Sequence, residues 1–146
     1  MTQAAAIAKL LGGPKVLHRS VKSTYDLIDA IHEGLPVESV EVVSKRVGIS
    51  AYGEASKVLH IPARTLARRQ ASGGRLAPIE SERVVRLARI ARRAEEVLED
   101  VEKSRIWLRE PNRALGRERP LDLLDTDLGM SLVEDVLDRI EHSVYA

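Results

Sequence analysis

Arg64, Thr65, Arg68 and Arg69 fall on one side of a short predicted helix, and they are the residues of this chain best suited to chemistry with another molecule. Guanidinium groups in such a row contact phosphate oxygens or pair bidentately with guanine. That chemistry needs a support able to present the row to a DNA groove. The stretch from Ala55 to Arg69 has the right outline: an apolar, small-residue helix breaks at His60-Ile61-Pro62 and resumes as a second short helix. In a helix-turn-helix the first helix braces the second, whose N-terminal residues enter the major groove. A helical hairpin with solvated arginines has the same outline, so the spacing by itself leaves both readings open.

No other constellation supports catalysis. His18, His32, His60 and His142 lack a second ligand at i+3 or i+4 that would complete a zinc motif. Asp122, Asp125 and Asp127 recur at short spacing, but Gly129 lies seven residues after Asp122, where an EF-hand loop needs its glycine at five. Helix capping is the simpler role for these carboxylates. No GxxxxGK[ST], GxSxG or GxGxxG pattern occurs, so no enzyme activity, metal or cofactor is expected.

Among 146 residues, 44% hydrophobic, there is no phenylalanine, and the other aromatics are Tyr25, Tyr52, Trp107 and Tyr145. A core built from Leu, Val, Ile and Ala favours packed helices over an aromatic-rich sandwich, and the expected class is all-α. The net charge of +1 conceals an asymmetry: residues 64–93 carry 9 basic against 2 acidic side chains, and residues 117–146 carry 3 against 8. A basic centre suits phosphate, while an acidic end suits a different, cationic partner. With no cysteine, no convincing leader and no apolar run near the roughly 20 residues that span a bilayer, the expectation is a cytoplasmic protein with no membrane contact.

These elements predict an order. Residues 1–22 read as a flexible arm because Gly12-Gly13-Pro14 interrupts a weak pattern. Ser23 or Thr24 caps a helix ending at Gly34, Pro36 opens the next, and Gly48 stops it. The helix-turn-helix domain spans 23–76. From Pro78 a long helix carries a stripe of Val84, Leu87, Ala88, Ala91, Ala94, Val97 or Leu98 and Val101, while Arg83, Arg86, Arg89, Arg92 and Arg93 occupy much of its remaining surface. Solvation of those arginines is expected over DNA contact. The helix is expected to continue to about Arg109, with 77–100 as the connector and 101–146 as a small helical C-terminal domain. After a loop from Pro111 to Pro120, a last helix runs to about His142 with Leu132, Val136, Ile140 and Val144 on one i, i+4 row.

The C-terminal half carries a longer signature: Ile106-Trp107-Leu108, Pro111-Asn112-Arg113-Ala114-Leu115-Gly116, Pro120-Leu121-Asp122-Leu123-Leu124-Asp125-Thr126, Gly129, Val133-Glu134-Asp135-Val136-Leu137 and Arg139-Ile140-Glu141-His142. This string resembles the toxin-binding domain of MbcA/ParS/Xre-type antitoxins, and the preceding segment looks like the Xre-like helix-turn-helix commonly joined to it. Arg117 and Ser143 stand where the family often has glycine, and a backbone needing positive φ would resist both changes.

The resemblance implies an antitoxin of a type II toxin-antitoxin system. Its partners would be a RES-domain toxin that consumes NAD, bound directly by the C-terminal region over the active site, and operator DNA, bound to repress the operon. Arg64, Thr65, Arg68 and Arg69 are then the candidate DNA contacts. Arg139, Glu141, His142, Val144 and Tyr145 are the candidate toxin contacts, an acidic and aromatic end suited to a cationic cofactor cleft. A homo-oligomer within the toxin complex is expected because operators for such motifs are commonly palindromic. The rival is a stand-alone repressor whose C-terminal domain only dimerises.

Overall fold

A computed structural model describes residues 1–143, and nine α-helices carry the fold among them. In chain order they are α1 (Gln3–Leu10), α2 (Gly13–Leu17), α3 (Thr24–Glu33), α4 (Glu38–Val47), α5 (Gly53–Leu59), α6 (Ala63–Ser72), α7 (Pro78–Leu98), α8 (Val101–Arg109) and α9 (Asp127–His142). Short 3-10 turns cover Arg113–Leu115 and Pro120–Leu123. No β-strand forms among the described residues; an isolated antiparallel bridge joins Pro36 to Arg75.

Local chemistry sets most of the boundaries. The Ser23 hydroxyl accepts from Asp26 N at 3.2 Å while the Asp26 carboxylate accepts from Ser23 N at 3.1 Å, a reciprocal cap for α3. Thr126 caps α9 by accepting from Gly129 N at 3.0 Å. The helix after Pro36 begins two residues later than the sequence predicts, because Pro36 is taken up by the bridge to Arg75. Gly34 makes that bridge possible: its φ is +90°, and a Cβ there would run into the Leu76 carbonyl oxygen.

The opening residues depart from the expected flexible arm. Ala4, Ile7, Ala8 and Leu11 are buried, α1 packs against α7, and the Thr2 hydroxyl donates to Lys22 O at 2.8 Å. Alanines add little to a hydrophobic periodicity, yet they let two helices approach closely, so the i, i+3, i+4, i+7 pattern is weak in sequence and effective in packing.

At the centre is α7, which packs against α1, α3, α4, α5, α8 and α9. The predicted stripe is buried from Val84 to Ala94 and half-buried at Val97, Leu98 and Val101, and Val85 and Ile90 widen its inward face. The buried side chains form a single cluster from Ala4 to Leu137 rather than two separate cores. The expected unbroken helix to Arg109 is interrupted at Glu99, whose φ of 57° is left-handed. Asp100 then accepts from Lys103 N at 2.9 Å and restarts the chain as α8. A bidentate pair between Arg46 and Glu95, at 2.6 and 2.9 Å, ties α4 to α7, and Arg105 Nε donates to Arg46 O at 2.8 Å to bring in α8.

The two glycine replacements have different consequences. Arg117 has φ of 68°, so the loop does use the left-handed conformation that glycine adopts freely, whereas Ser143 has φ of −84° and is unstrained. Replacing Arg117 with glycine removes a left-handed cost of roughly 1–2 kcal/mol and adds an unfolded-state entropy cost of roughly 0.5–1 kcal/mol. The net expectation is a small gain, about 0.5 kcal/mol and about 1–2 °C in Tm, readable by calorimetry.

Candidate nucleic-acid and partner interfaces

The helix-turn-helix is built on Ala55, Val58, Leu59, Ile61 and Leu66, all buried. His60 takes a left-handed φ of 53° and turns the chain, Ile61 N donates to Ser56 O at 3.1 Å, and Pro62 caps α6 without a side-chain bond. Leu66 is the buried anchor of α6, which leaves Arg64, Ala67, Arg68 and Ala71 exposed. No acidic residue occupies its first turn, so the positive end of the helix dipole is uncompensated there.

The structure divides the four predicted DNA contacts. Arg64 and Arg68 are exposed, one turn apart, and have no ion-pair partner among the described residues; Thr65 between them is half-buried. Arg69 turns away and pairs with Glu80 in the first turn of α7, and Glu80 also accepts from Ala77 N at 2.8 Å. Arg69 therefore clamps the second helix to the scaffold.

The α7 arginines, expected to be solvated, are mostly used inside the molecule. Arg83 donates to Leu59 O at 3.4 Å and His60 O at 3.2 Å, bracing the turn before α6. One turn later Arg86 donates to Leu124 O at 3.3 Å and Asp125 O at 3.2 Å, bracing the turn before α9. These two turns also face each other directly, with His60 Nε2 3.5 Å from Asp125 Oδ2. Farther along, Arg89 lies 3.6 Å from Glu134, and Arg93 holds Asp138 at 2.7 Å and Glu141 with two bonds of 3.0 Å. Arg75 likewise donates to Gly34 O at 3.0 Å. After this intramolecular use, Arg64 and Arg68 are the exposed arginines of this segment, among the described residues, that keep no side-chain partner.

The acidic end is consequently less available than its charge tally suggests. Glu141, one of the predicted toxin contacts, is a brace of α9, and the Arg93 guanidinium bonded to it holds its carboxyl below the usual carboxylate range. A carboxylate whose folded pKa is depressed stabilises the fold above its ordinary pKa, and that contribution is lost as pH falls through the folded value. Glu141→Gln should therefore melt below the parent chain at neutral pH, and the gap should close as pH falls through and below the ordinary carboxylate range. A gap that stays constant with pH would show that the pair does not contribute.

Arg139 and His142 are exposed, while Val144 and Tyr145 lie outside the described residues. The outer surface of α9 holds two residues that the sequence reading placed differently or passed over. Leu132, predicted on the core row, is 53% exposed, and Leu128 is 80% exposed. A four-residue step overshoots a 3.6-residue turn by about 40°, so an i, i+4 row winds around its helix. Val136 reaches the core and Ile140 packs partly against it, but Leu132 does not; Met130, Val133 and Leu137 complete the inward face. Trp107 packs against the core, as expected for a loop anchor. No cluster able to hold a metal forms among the described residues, and no helix there is long and apolar enough to cross a membrane.

Comparison with known proteins matches two successive segments of the chain. Residues 26–89 match the family model described as the antitoxin Xre-like helix-turn-helix domain, and residues 93–142 match the antitoxin Xre/MbcA/ParS C-terminal toxin-binding domain. The chain is 33% identical over 121 residues to an "Antitoxin Xre" of Yersinia enterocolitica, covering 82% of this chain and 81% of that one. It is 32% identical over 117 residues to an "Antitoxin Xre" of Photorhabdus laumondii, covering 78% and 77%. A "Prs ADP-ribosylating antitoxin" of Sphingobium is 28% identical over 137 residues, covering 80% and 86%. These two matches, together with relatives 33% and 32% identical along about four-fifths of the chain, place this chain in the Xre/MbcA/ParS antitoxin family.

Proposed function

We propose that this antitoxin neutralises a RES-domain, NAD-consuming toxin by direct binding, with its C-terminal end over the toxin's active site, and that it represses its own operon by binding promoter DNA. The observation that carries the DNA half is selective pairing. Of the nine arginines between residues 64 and 93, Arg64 and Arg68 are the exposed ones that make neither a side-chain hydrogen bond nor an ion pair among the described residues, and both lie on the second helix of the motif, whereas the exposed Arg75 donates to Gly34 O. Thr65 stands between them as a neutral contact, and Arg69 acts through the position of the helix. A chain of this kind that serves a promoter acts in the cytoplasm. It pairs with a second copy to match a two-fold operator, and the exposed apolar side chains Tyr25, Ile28 and Ile79 in the helix-turn-helix half favour self-association.

On the toxin side, Arg139, His142, Val144 and Tyr145 form the end that enters the cleft, and Glu141 positions it by holding Arg93. The printed name of the Sphingobium relative refers to ADP-ribosylation, a reaction that draws on NAD, and this supports a toxin of that chemistry. Co-expression with a RES-domain protein encoded beside this chain, followed by a growth test and a pull-down, tests the proposal. Deleting residues 142–146 should restore toxicity while melting temperature and promoter binding stay unchanged. A truncated chain that still neutralises fully would remove the C-terminal plug. A full-length chain that binds its promoter but never the toxin would leave the stand-alone repressor.

A further inference from the structure

The opposite faces of α9 differ in a way that folding alone does not require. Gly129, Met130, Val133, Val136 and Leu137 are buried. Leu128, Leu132, Asp135 and Arg139 follow one another at four, three and four residues along the outward face, and all are exposed. A 3.6-residue turn stacks this spacing into a straight row, with two leucines at the start and two opposite charges after them. The row is also held still: Thr126 caps the helix, Arg89 pairs with Glu134, and Arg93 grips Asp138 and Glu141 on its flank.

We infer that this outward row is the surface by which the chain grips its toxin, with Leu128 and Leu132 as apolar anchors and Asp135 and Arg139 fixing register. The inference rests on the reading that the chain binds a toxin, and it adds where the binding energy resides. The partner's chemistry follows from the row: an apolar depression about two leucines long, then a cation facing Asp135 and an anion facing Arg139. Three observations favour the toxin as occupant. The row lies wholly within the segment that matches the toxin-binding domain. It runs toward His142, where the proposed plug segment begins in the chain. It also complements a different molecule better than a second copy. A two-fold pairing centred on the leucines leaves Arg139 outside, and one that spans the row sets Leu128 against Arg139 and Leu132 against Asp135. Because the helix is braced before binding, little ordering cost opposes association.

The test measures affinity between the purified full-length chain and the RES-domain protein encoded beside it. Four forms are compared: the parent chain, Leu128→Gln with Leu132→Gln, Arg139→Glu, and the chain lacking residues 142–146. The leucine pair should weaken binding by at least about 30-fold and Arg139→Glu by at least about 10-fold, as truncation of interface anchors does. Melting temperature and promoter affinity should not change, since these side chains are exposed. The truncated chain should still bind within about 10-fold while failing to neutralise, which separates grip from plug. A leucine variant that binds within twofold of the parent overturns the inference. So does a leucine variant that loses dimerisation but not toxin affinity, because the occupant is then a second copy. If the parent chain does not bind the toxin at all, the functional reading fails first and this inference falls with it.

Discussion

Replacing Arg64 and Arg68 together with alanine should abolish specific promoter binding under conditions where the parent chain saturates its site. A guanidinium that reads a base contributes about 1–3 kcal/mol, so losing both costs about 2–6 kcal/mol, roughly 30-fold to 10⁴-fold in affinity. Salt dependence separates the two kinds of contact: each phosphate contact removed should lower the slope of log affinity against log salt by about 1. The fold should survive, because both side chains are exposed and unpaired. Arg69→Ala and Arg83→Ala are the informative contrasts. Arg69 is bonded to Glu80, and Arg83 to the carbonyls of Leu59 and His60. Their loss should lower thermal stability and weaken promoter binding without changing the salt slope. Anisotropy titrations of a labelled promoter fragment across a salt series read all of these. Unchanged affinity in the Arg64/Arg68 double variant at matched salt would remove α6 as the reading helix.

That contrast also shows which parts of this molecule were legible in its sequence. Signals within one turn of the chain were readable: the Ser23 cap, the stop at Gly48, the break at His60 to Pro62, and the start at Pro78 all match the observed elements. The breaks that depend on competition between neighbours were not. Glu99 and Asp100 look like ordinary helix surface until Asp100 is seen capping the next helix.

Charge was the least legible property. The basic centre and acidic end were correctly counted, but their partners are far apart in sequence: Arg93 meets Asp138 and Glu141 at separations of 45 and 48 residues. A linear tally predicts two free surfaces of opposite sign. The folded chain spends much of each on the other, and the residue left over on each side, not the total, defines the candidate interfaces. The outward leucines of α9 were missed for a related reason. The direction of a side chain on a helix follows from which neighbouring row is buried, and that is set by α7 and the Pro120–Leu123 turn.

Gly129→Ala should be the most damaging single substitution in the toxin-binding half. The first turn of α9 rests on the Pro120–Leu123 turn, and the glycine is the point of closest approach. A Cβ there would fall inside the contact radius of the Leu123 carbonyl oxygen, 2.9 Å from its carbonyl carbon and 3.1 Å from the Leu123 Cβ. The obstacle is backbone, so no rotamer change relieves it; either α9 or the turn must shift. Neither is free to do so. Leu121 and Leu124 are buried beneath the turn, Thr126 caps the helix three residues before its interior begins, and Met130 and Val133 fill the core just beyond. Overpacking against a fixed backbone costs about 3 kcal/mol, corresponding to about 6–12 °C in Tm for a chain of this length. Because α9 carries both the outward leucine row and the end of the chain, toxin affinity should fall even at temperatures where the variant remains folded. Promoter affinity, proposed to reside in α6 braced by α5, should fall less. Calorimetry together with the two binding assays distinguishes the outcomes, and a variant with the parent's Tm and toxin affinity would show that the close approach at Gly129 is not a constraint.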